Sequence, residues 1–465
     1  MATVATLPIR KRGSMCRNLI INAVLLSLID PVRGKPTRDS LDENPEDYTT
    51  TNIQLKQKFL DSFALICSTS GSGKETASAV CMEQHDASGT VLRVARNRGL
   101  TPHDTAKLER VIEILVAVAT GKKPPSKAEN DLLHVVVDLD QDRIASLAQK
   151  LEKRGIGQLI QQATTNSYQN DHDEKLEATS FRQWVRTCPF VGTYSMTAGS
   201  SPSPACVLWA SEARWKYDRH FQALLTVDPK PPPTWLETLH KLARYWASVK
   251  SMVKFAIKEP DAFAGLCIKV VQAPKQQTFS LQHERNIAAT AVQRLTKGDH
   301  QNMMERLSRR LGTDDVEAKV RRSCTLKLTL HAEMQLLEFY DLNRAKAPRL
   351  RMMGTSKKAC YLCHEYLLRH PLGIRVSACH EKVYPTWMPP TSRDPPGVPG
   401  KQPFWAFVQH IERATTKALK TELDGDRRPK NRDSTAGPSL TATATARTGT
   451  VPFHLARSVY SVARS

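Results

Sequence analysis

The sequence predicts an α/β protein in which a mainly α-helical region precedes a domain of alternating strands and helices. Three patterns carry this. Leu108, Val111, Ile112, Leu115 and Val116 recur at helical spacing, bounded by Gly121 and Pro124-Pro125. Leu239, Leu242, Trp246, Val249 and Val253 step by three and four, giving a long one-sided helix that starts after Pro231-Pro232-Pro233. Cys324 to Leu330 alternates instead with period two, the mark of a half-buried strand.

The elements follow in order. Arg10-Lys11-Arg12 precede the apolar segment Leu19–Ile29, and no acidic residue stands before Asp30. Targeting segments share that layout, but no small-residue cleavage site follows, and the segment runs into Asp30-Pro31; an amphipathic or buried helix is the better reading. Residues 34–51 are polar and acidic and read as a linker. A helix is expected over about 128–153 and a loop over 195–205, where Ser200-Ser201-Pro202-Ser203-Pro204 falls.

Cys267–Val271 and Thr278–Leu281 are short β-like runs about a turn apart, the spacing of a hairpin. Residues 283–311 look helical. The strand over 324–330 is followed by a helix from Glu333 to Tyr340 and a strand over Leu350–Met353 that closes at Gly354. Next come a helix from Cys360 to Arg369 and a strand over Ile374–Val376. Such alternation calls for a parallel or mixed sheet with helices packed on it. Pro389 to Pro403 is a proline-rich loop, Phe404–Leu423 suits a last helix, and the Ser/Thr/Ala/Arg-rich stretch beyond is expected to be disordered. The divisions expected are thus 1–50, 51–260, 261–424 and 425–465.

With 465 residues, two or three domains are the prior. A formal charge of +21 suits an anionic partner, although dispersed basic residues also serve solubility. The ten cysteines are scattered singly apart from Cys360 and Cys363, a pattern of buried thiols in a reducing compartment and not of a disulfide framework. No apolar run approaches the roughly 20 residues of a membrane span. The expectation is an intracellular protein, cytoplasmic or nuclear, with mitochondrial targeting left open by the N-terminal segment.

Chemistry concentrates at two motifs. His331-Ala332-Glu333 starts a helix directly after a strand, and Cys360-Tyr361-Leu362-Cys363 starts the next. On a regular helix i and i+2 diverge, so His331 and Glu333 serve one site only if the helix begins there and meets it end-on. Cys360 and Cys363 share a face in a first turn, where the helix dipole favours thiolates. One imidazole and two thiolates holding Zn2+, with a carboxylate beside them, is the set that activates water. Glu333 is then the catalytic candidate, and His331, Cys360 and Cys363 are the metal-ligand candidates.

His-x-Glu followed about thirty residues on by Cys-x-x-Cys resembles the zinc-dependent nucleoside and nucleic-acid deaminase superfamily. The surroundings, Gly354-Thr355-Ser356-Lys357 before the cysteines and Cys379-His380-Glu381-Lys382-Val383-Tyr384-Pro385-Thr386-Trp387 after them, are similar to a fungal expansion of deaminase-like proteins with a helical N-terminal region. The resemblance implies a three-layer α/β/α, cytidine-deaminase-like domain with a five-stranded sheet. It implies zinc on His331, Cys360 and Cys363, Glu333 as proton shuttle, and a nucleobase-containing substrate. Ser356, Lys357 and His380 are substrate-binding candidates, and the acid-free basic stretch Arg344–Lys358 is a candidate nucleic-acid contact. The alternative is an inactive zinc-stabilised scaffold for protein or nucleic-acid binding. Ala359 departs from the proline that many deaminases carry before the first cysteine.

Other motifs carry less. His172-Asp173-Glu174 shows that the triplet alone is cheap. Cys360 to His364 matches a c-type haem pattern that would leave His331 unexplained. Ser68 to Glu75 resembles a phosphate-binding loop but lacks its first glycine and its Ser/Thr after the lysine. His364, His370, Cys379 and His380 are each near enough in sequence to be a fourth ligand.

Overall fold

The computed structural model describes residues 9–45, 51–69, 75–85, 89–160, 174–190, 204–225, 233–296, 300–390 and 403–423. The expected tail, the loop around 195–203 and the middle of the Ser68–Glu75 stretch lie outside them. The chain is mixed α/β, with many helices in its N-terminal region.

Its sheet is built around a hairpin. β1 (Ser78–His85) and β2 (Gly89–Arg96) pair antiparallel, and β3 (Cys267–Val270) joins β2 in parallel at one edge. β4 (Gln277–Phe279) and β5 (Leu326–Leu328) form a separate two-stranded ladder. On the other side of the hairpin, β6 (Met352–Thr355) lies antiparallel to β1 and parallel to β7 (Arg375–Val376). The order is β3-β2-β1-β6-β7.

Two expectations change here. The runs at 267 and 278 do not pair with each other, and the period-two strand before His331 belongs to the small ladder. Alternation reports one buried face and does not say which sheet supplies it. The parallel entry of β3 needs a long crossover, and the helices between residues 102 and 258 provide it.

The hairpin separates two cores. Val80, Met82, Leu92 and Val94 pack with Phe59 and Phe63 of the helix Asn52–Ile66 and with Val249 and Phe255 of the helix Thr234–Lys258. Ala79, Cys81 and Ala95 face the other way, towards Leu336, Leu337 and Tyr340 of the helix Ala332–Leu342. Alternate residues of one strand therefore serve opposite layers.

Close approach of the first layer depends on Gly354. A Cβ there would stand 2.1 Å from the Leu60 carbonyl carbon and 2.2 Å from its oxygen. Backbone cannot step aside as a side-chain tip can. Gly354→Ala is expected to cost about 3 kcal/mol or more, the upper end for overpacking, read as a lower urea midpoint with unchanged slope.

The polar stretch after residue 34 ties the layers together. Arg244 is buried, with Nη2 2.6 Å from Asp42 Oδ1 and Nη1 3.3 Å from Asp39 Oδ2; Arg214 Nη2 also reaches Asp42 Oδ1 at 2.8 Å. Ser40 Oγ donates to Asp61 Oδ2 at 2.6 Å, and the Thr355 N–H donates to Asp61 Oδ1 at 2.9 Å. Helix, polar stretch and β6 are thus one network.

The N-terminal apolar segment forms the helix Ile9–Ile29, which packs on the helix Pro403–Thr421. Among the described residues no helix is long and apolar enough to cross a membrane.

Candidate metal centre

His331 is the N-cap of the helix Ala332–Leu342, with φ −65° and ψ 151°, so its side chain stands at the helix start. Cys360 is the N-cap of the helix Tyr361–Arg369, with φ −77° and ψ 161°. Its Sγ accepts the Cys363 N–H at 3.4 Å, doing for this helix what a serine oxygen does at other N-caps. The two helix starts meet. His331 Nδ1 lies 3.6 Å from Cys360 Sγ and 3.5 Å from Cys363 Sγ. These three side chains are a group able to hold a metal ion, and among the described residues no fourth His, Cys, Asp or Glu joins it.

Ala359 explains itself in this geometry. Its N–H donates to the Ala378 carbonyl at 2.9 Å, and its carbonyl accepts the His380 N–H at 3.0 Å. A proline would forfeit the first of these bonds. The turn before Cys360 is held by a bridge to the 378–380 segment in place of a proline ring.

Charge is distributed unevenly over the group. Burial pushes the Cys360 thiol up, but its hydrogen bond with Cys363 and the charge of His331 outweigh that and bring it well below the usual thiol range. Burial lowers His331, and the neighbouring Cys360 more than restores it, so the imidazole is shifted up. Cys363 is shifted up, by burial first and then by Cys360. Glu333 is buried in the first helical turn, and burial raises its carboxyl above the ordinary glutamate range. The charges of His331 and Cys360 and a hydrogen bond with Cys363 act on it as well.

Two supports come from residues that no local motif marks. The Asn97 side-chain oxygen, just past β2, accepts the Ala332 N–H at 2.8 Å, an amide left orphaned at a helix start. Gln335 Nε2 donates to the Leu330 and Arg96 carbonyls, fixing the same helix to the hairpin. Trp387 Nε1–H donates to Cys363 Sγ at 3.2 Å. An N–H directed at a ligating sulfur tunes its donor strength, so Trp387→Phe is expected to weaken metal affinity about 10- to 100-fold while leaving the fold intact, measured by competition with a chromophoric chelator.

The remaining candidates are placed as follows. His380 is buried, with its ring 5.4 Å from Tyr384, whose ring is 6.3 Å from His331. Burial brings His380 down to about 4, so it is neutral at pH 7, and its Nδ1 accepts the Lys382 N–H, which assigns the proton to Nε2. The Ser356 hydroxyl oxygen accepts the Ser78 N–H at 2.9 Å. Lys357 is half-buried on the turn between β6 and Cys360. His370 is bound to Asp341 at 3.1 Å. In the basic stretch, Arg344 pairs with Asp341 and Lys358 is buried, so only part of it is turned to solvent.

Residues 330–391 match a family model described as an OTT_1508-like deaminase. No curated protein and no solved structure matches the chain. The match supports the superfamily and does not extend to the fungal group. It begins at the residue before His331 and ends beyond Trp387, so it encloses the whole Cys/His group with Glu333 and His380. The segment that builds this centre is similar to a deaminase domain, and the match supports a place in the deaminase-like superfamily.

Proposed function

We propose that the chain is a zinc-dependent hydrolytic deaminase acting on a nucleobase, free or within a nucleotide or nucleic acid. The observation that carries this is the separation of the His331, Cys360 and Cys363 ligand atoms beside the buried carboxyl of Glu333. A tetrahedral zinc with ordinary Zn–N and Zn–S lengths would hold nitrogen and sulfur about 3.6 Å apart. The two contacts measure 3.6 and 3.5 Å. The donor set therefore fits the ion in both chemistry and spacing.

When bound, zinc would supply Lewis acidity and bring the pKa of a water towards about 7. The rest falls to the chain. Glu333 takes a proton from the attacking water at its carboxylate and returns it to the departing amino group. Its raised pKa moves it towards neutrality, where a carboxyl both accepts and gives. His380, with Nε2–H as donor, and the Tyr384 ring beside it suit recognition of a base by hydrogen bond and stacking. Lys357 and the solvent-facing part of Arg344–Lys358 suit phosphate.

The test is metal content of the purified chain by elemental mass spectrometry, followed by an ammonia-release screen over bases, nucleosides, nucleotides and single-stranded oligonucleotides. About one zinc on this site, lost in Cys360→Ser/Cys363→Ser, together with ammonia from one base class, is expected. Bound zinc without any turnover supports the scaffold reading. A folded chain without metal on these residues overturns both.

A further inference from the structure

A second set of metal-ligating side chains stands behind the first. His364 Nδ1, Cys379 Sγ and a Glu381 carboxylate oxygen lie within 4.8 Å of one another. The same two segments deliver them. His364 follows Cys363 on its helix, and Cys379 and Glu381 flank His380. Where the His380 ring stands against Tyr384, the side chains of its two neighbours meet His364.

Three observations distinguish this set from a chance meeting. His364 Nδ1 is sealed from solvent without a hydrogen-bond partner, and Glu381 Oε1 is 3.8 Å away, beyond hydrogen-bond reach. An orphaned polar atom of this kind is costly unless something else satisfies it. Glu381 has φ 61°, a conformation that non-glycine residues seldom adopt, and with it the Glu381 N–H donates to Cys379 Sγ at 3.3 Å. Gly34 backs the carboxylate closely: a Cβ there would meet Glu381 Cγ at 3.2 Å and Oε2 at 3.3 Å. The chain around it is pinned as well, with the Arg33 N–H donating to the Glu381 carbonyl at 2.8 Å and the Cys379 N–H donating to Thr37 Oγ1 at 2.7 Å.

We propose that His364, Cys379 and Glu381 form a second site for a divalent transition metal of zinc type, separate from the His331–Cys360–Cys363 centre. One nitrogen, one sulfur and one carboxylate oxygen favour zinc, cobalt, nickel or copper over calcium and magnesium, which take oxygen ligands. An ion here ties the segment that presents His380 to the helix that carries Cys363. Its role is to hold the wall of the first site in place. The proposal stands independently of the reaction at that site.

The experiment uses the full chain exchanged into Co2+, with bound metal counted by elemental mass spectrometry and thiolate-to-cobalt absorption recorded. Two Co2+ per chain are expected. His364→Ala and Cys379→Ser should each lose one of the two, and Cys379→Ser should also lose part of the thiolate band. Cys360→Ser/Cys363→Ser should lose the other ion and keep the Cys379 contribution. His364 is half-buried, so its alanine variant tests the site without opening the core. One Co2+ per folded wild-type chain, kept in His364→Ala and lost in Cys360→Ser/Cys363→Ser, overturns the second site and leaves the first standing. A second equivalent indifferent to both His364→Ala and Cys379→Ser overturns it too.

Discussion

Arg244→Met is expected to destabilise the chain by about 3–5 kcal/mol, the cost of leaving a buried charge unpaired. Arg244 reaches Asp39 and Asp42 at once, and Asp61 is close enough to add to its field. Methionine keeps the volume and removes every donor. Asp42 is held below the usual carboxylate range because Arg244 and Arg214 outweigh its burial. Its folded-state pKa is depressed, so it contributes stability above its unfolded pKa, lost as pH falls towards the folded value. Asp61 has the opposite sign. Burial, then the Asp39 charge, raises it to about 7. From about pH 4, the ordinary aspartate value, to about pH 7 the folded chain holds a proton that the unfolded chain has lost. Stability therefore falls with rising pH across that window, by at most about 1.4 kcal/mol per unit, and levels off above it. Urea unfolding at pH 5 and pH 8 reads the Asp61 effect, and the Asp42 effect is read at pH 3 against pH 5. Asp61→Asn should flatten that slope, and Arg244→Lys should recover little, since an ammonium cannot fork between two carboxylates. A loss under about 1 kcal/mol for Arg244→Met would show that Arg214 alone neutralises the group.

The network shows where sequence reading stops. Residues 34–51 are polar enough to read as a linker, yet Asp39 and the side chain of Asp42 are buried because their partners come from a helix about 200 positions away. Composition records polarity and cannot record who satisfies it. The hairpin 78–96 escaped for a related reason. Ala79 and Cys81 face one layer and Val80 and Met82 the other, so the strand is apolar on both sides and loses the alternation that marks a half-buried strand. β5 buries one face, and the helix Thr234–Lys258 carries Leu239, Leu242, Val249 and Val253 at helical spacing, so both were legible, although that helix is buried on more than the one side expected. At the site, the meeting of His331, Cys360 and Cys363 could be read because metal-ligating chemistry is carried by residue type and short spacing. Asn97 could not, since its bond to Ala332 spans 235 positions; its only local trace is a polar residue and Gly99 closing a strand.

The largest effect on activity is expected from Glu333→Gln. On whichever substrate the ammonia screen identifies, kcat should fall about 10²- to 10⁴-fold, the share that a positioned proton-transfer group supplies. Glutamine fills the same buried volume in the first turn of the helix Ala332–Leu342 and leaves His331, Cys360 and Cys363 untouched. It cannot accept a proton at neutral pH. Metal content should therefore stay at the wild-type value, and thermal stability should change little or rise, since a group that burial already resists charging is replaced by a neutral one. That combination separates chemistry from scaffolding: a structural carboxyl would show its loss in the melting curve or the metal count, and a catalytic one in turnover alone. If Glu333→Gln keeps turnover within about tenfold of wild type with its metal in place, the proton passes through another group. His380 then becomes the side chain to replace next, because its ring lies against Tyr384 on the same wall of the centre.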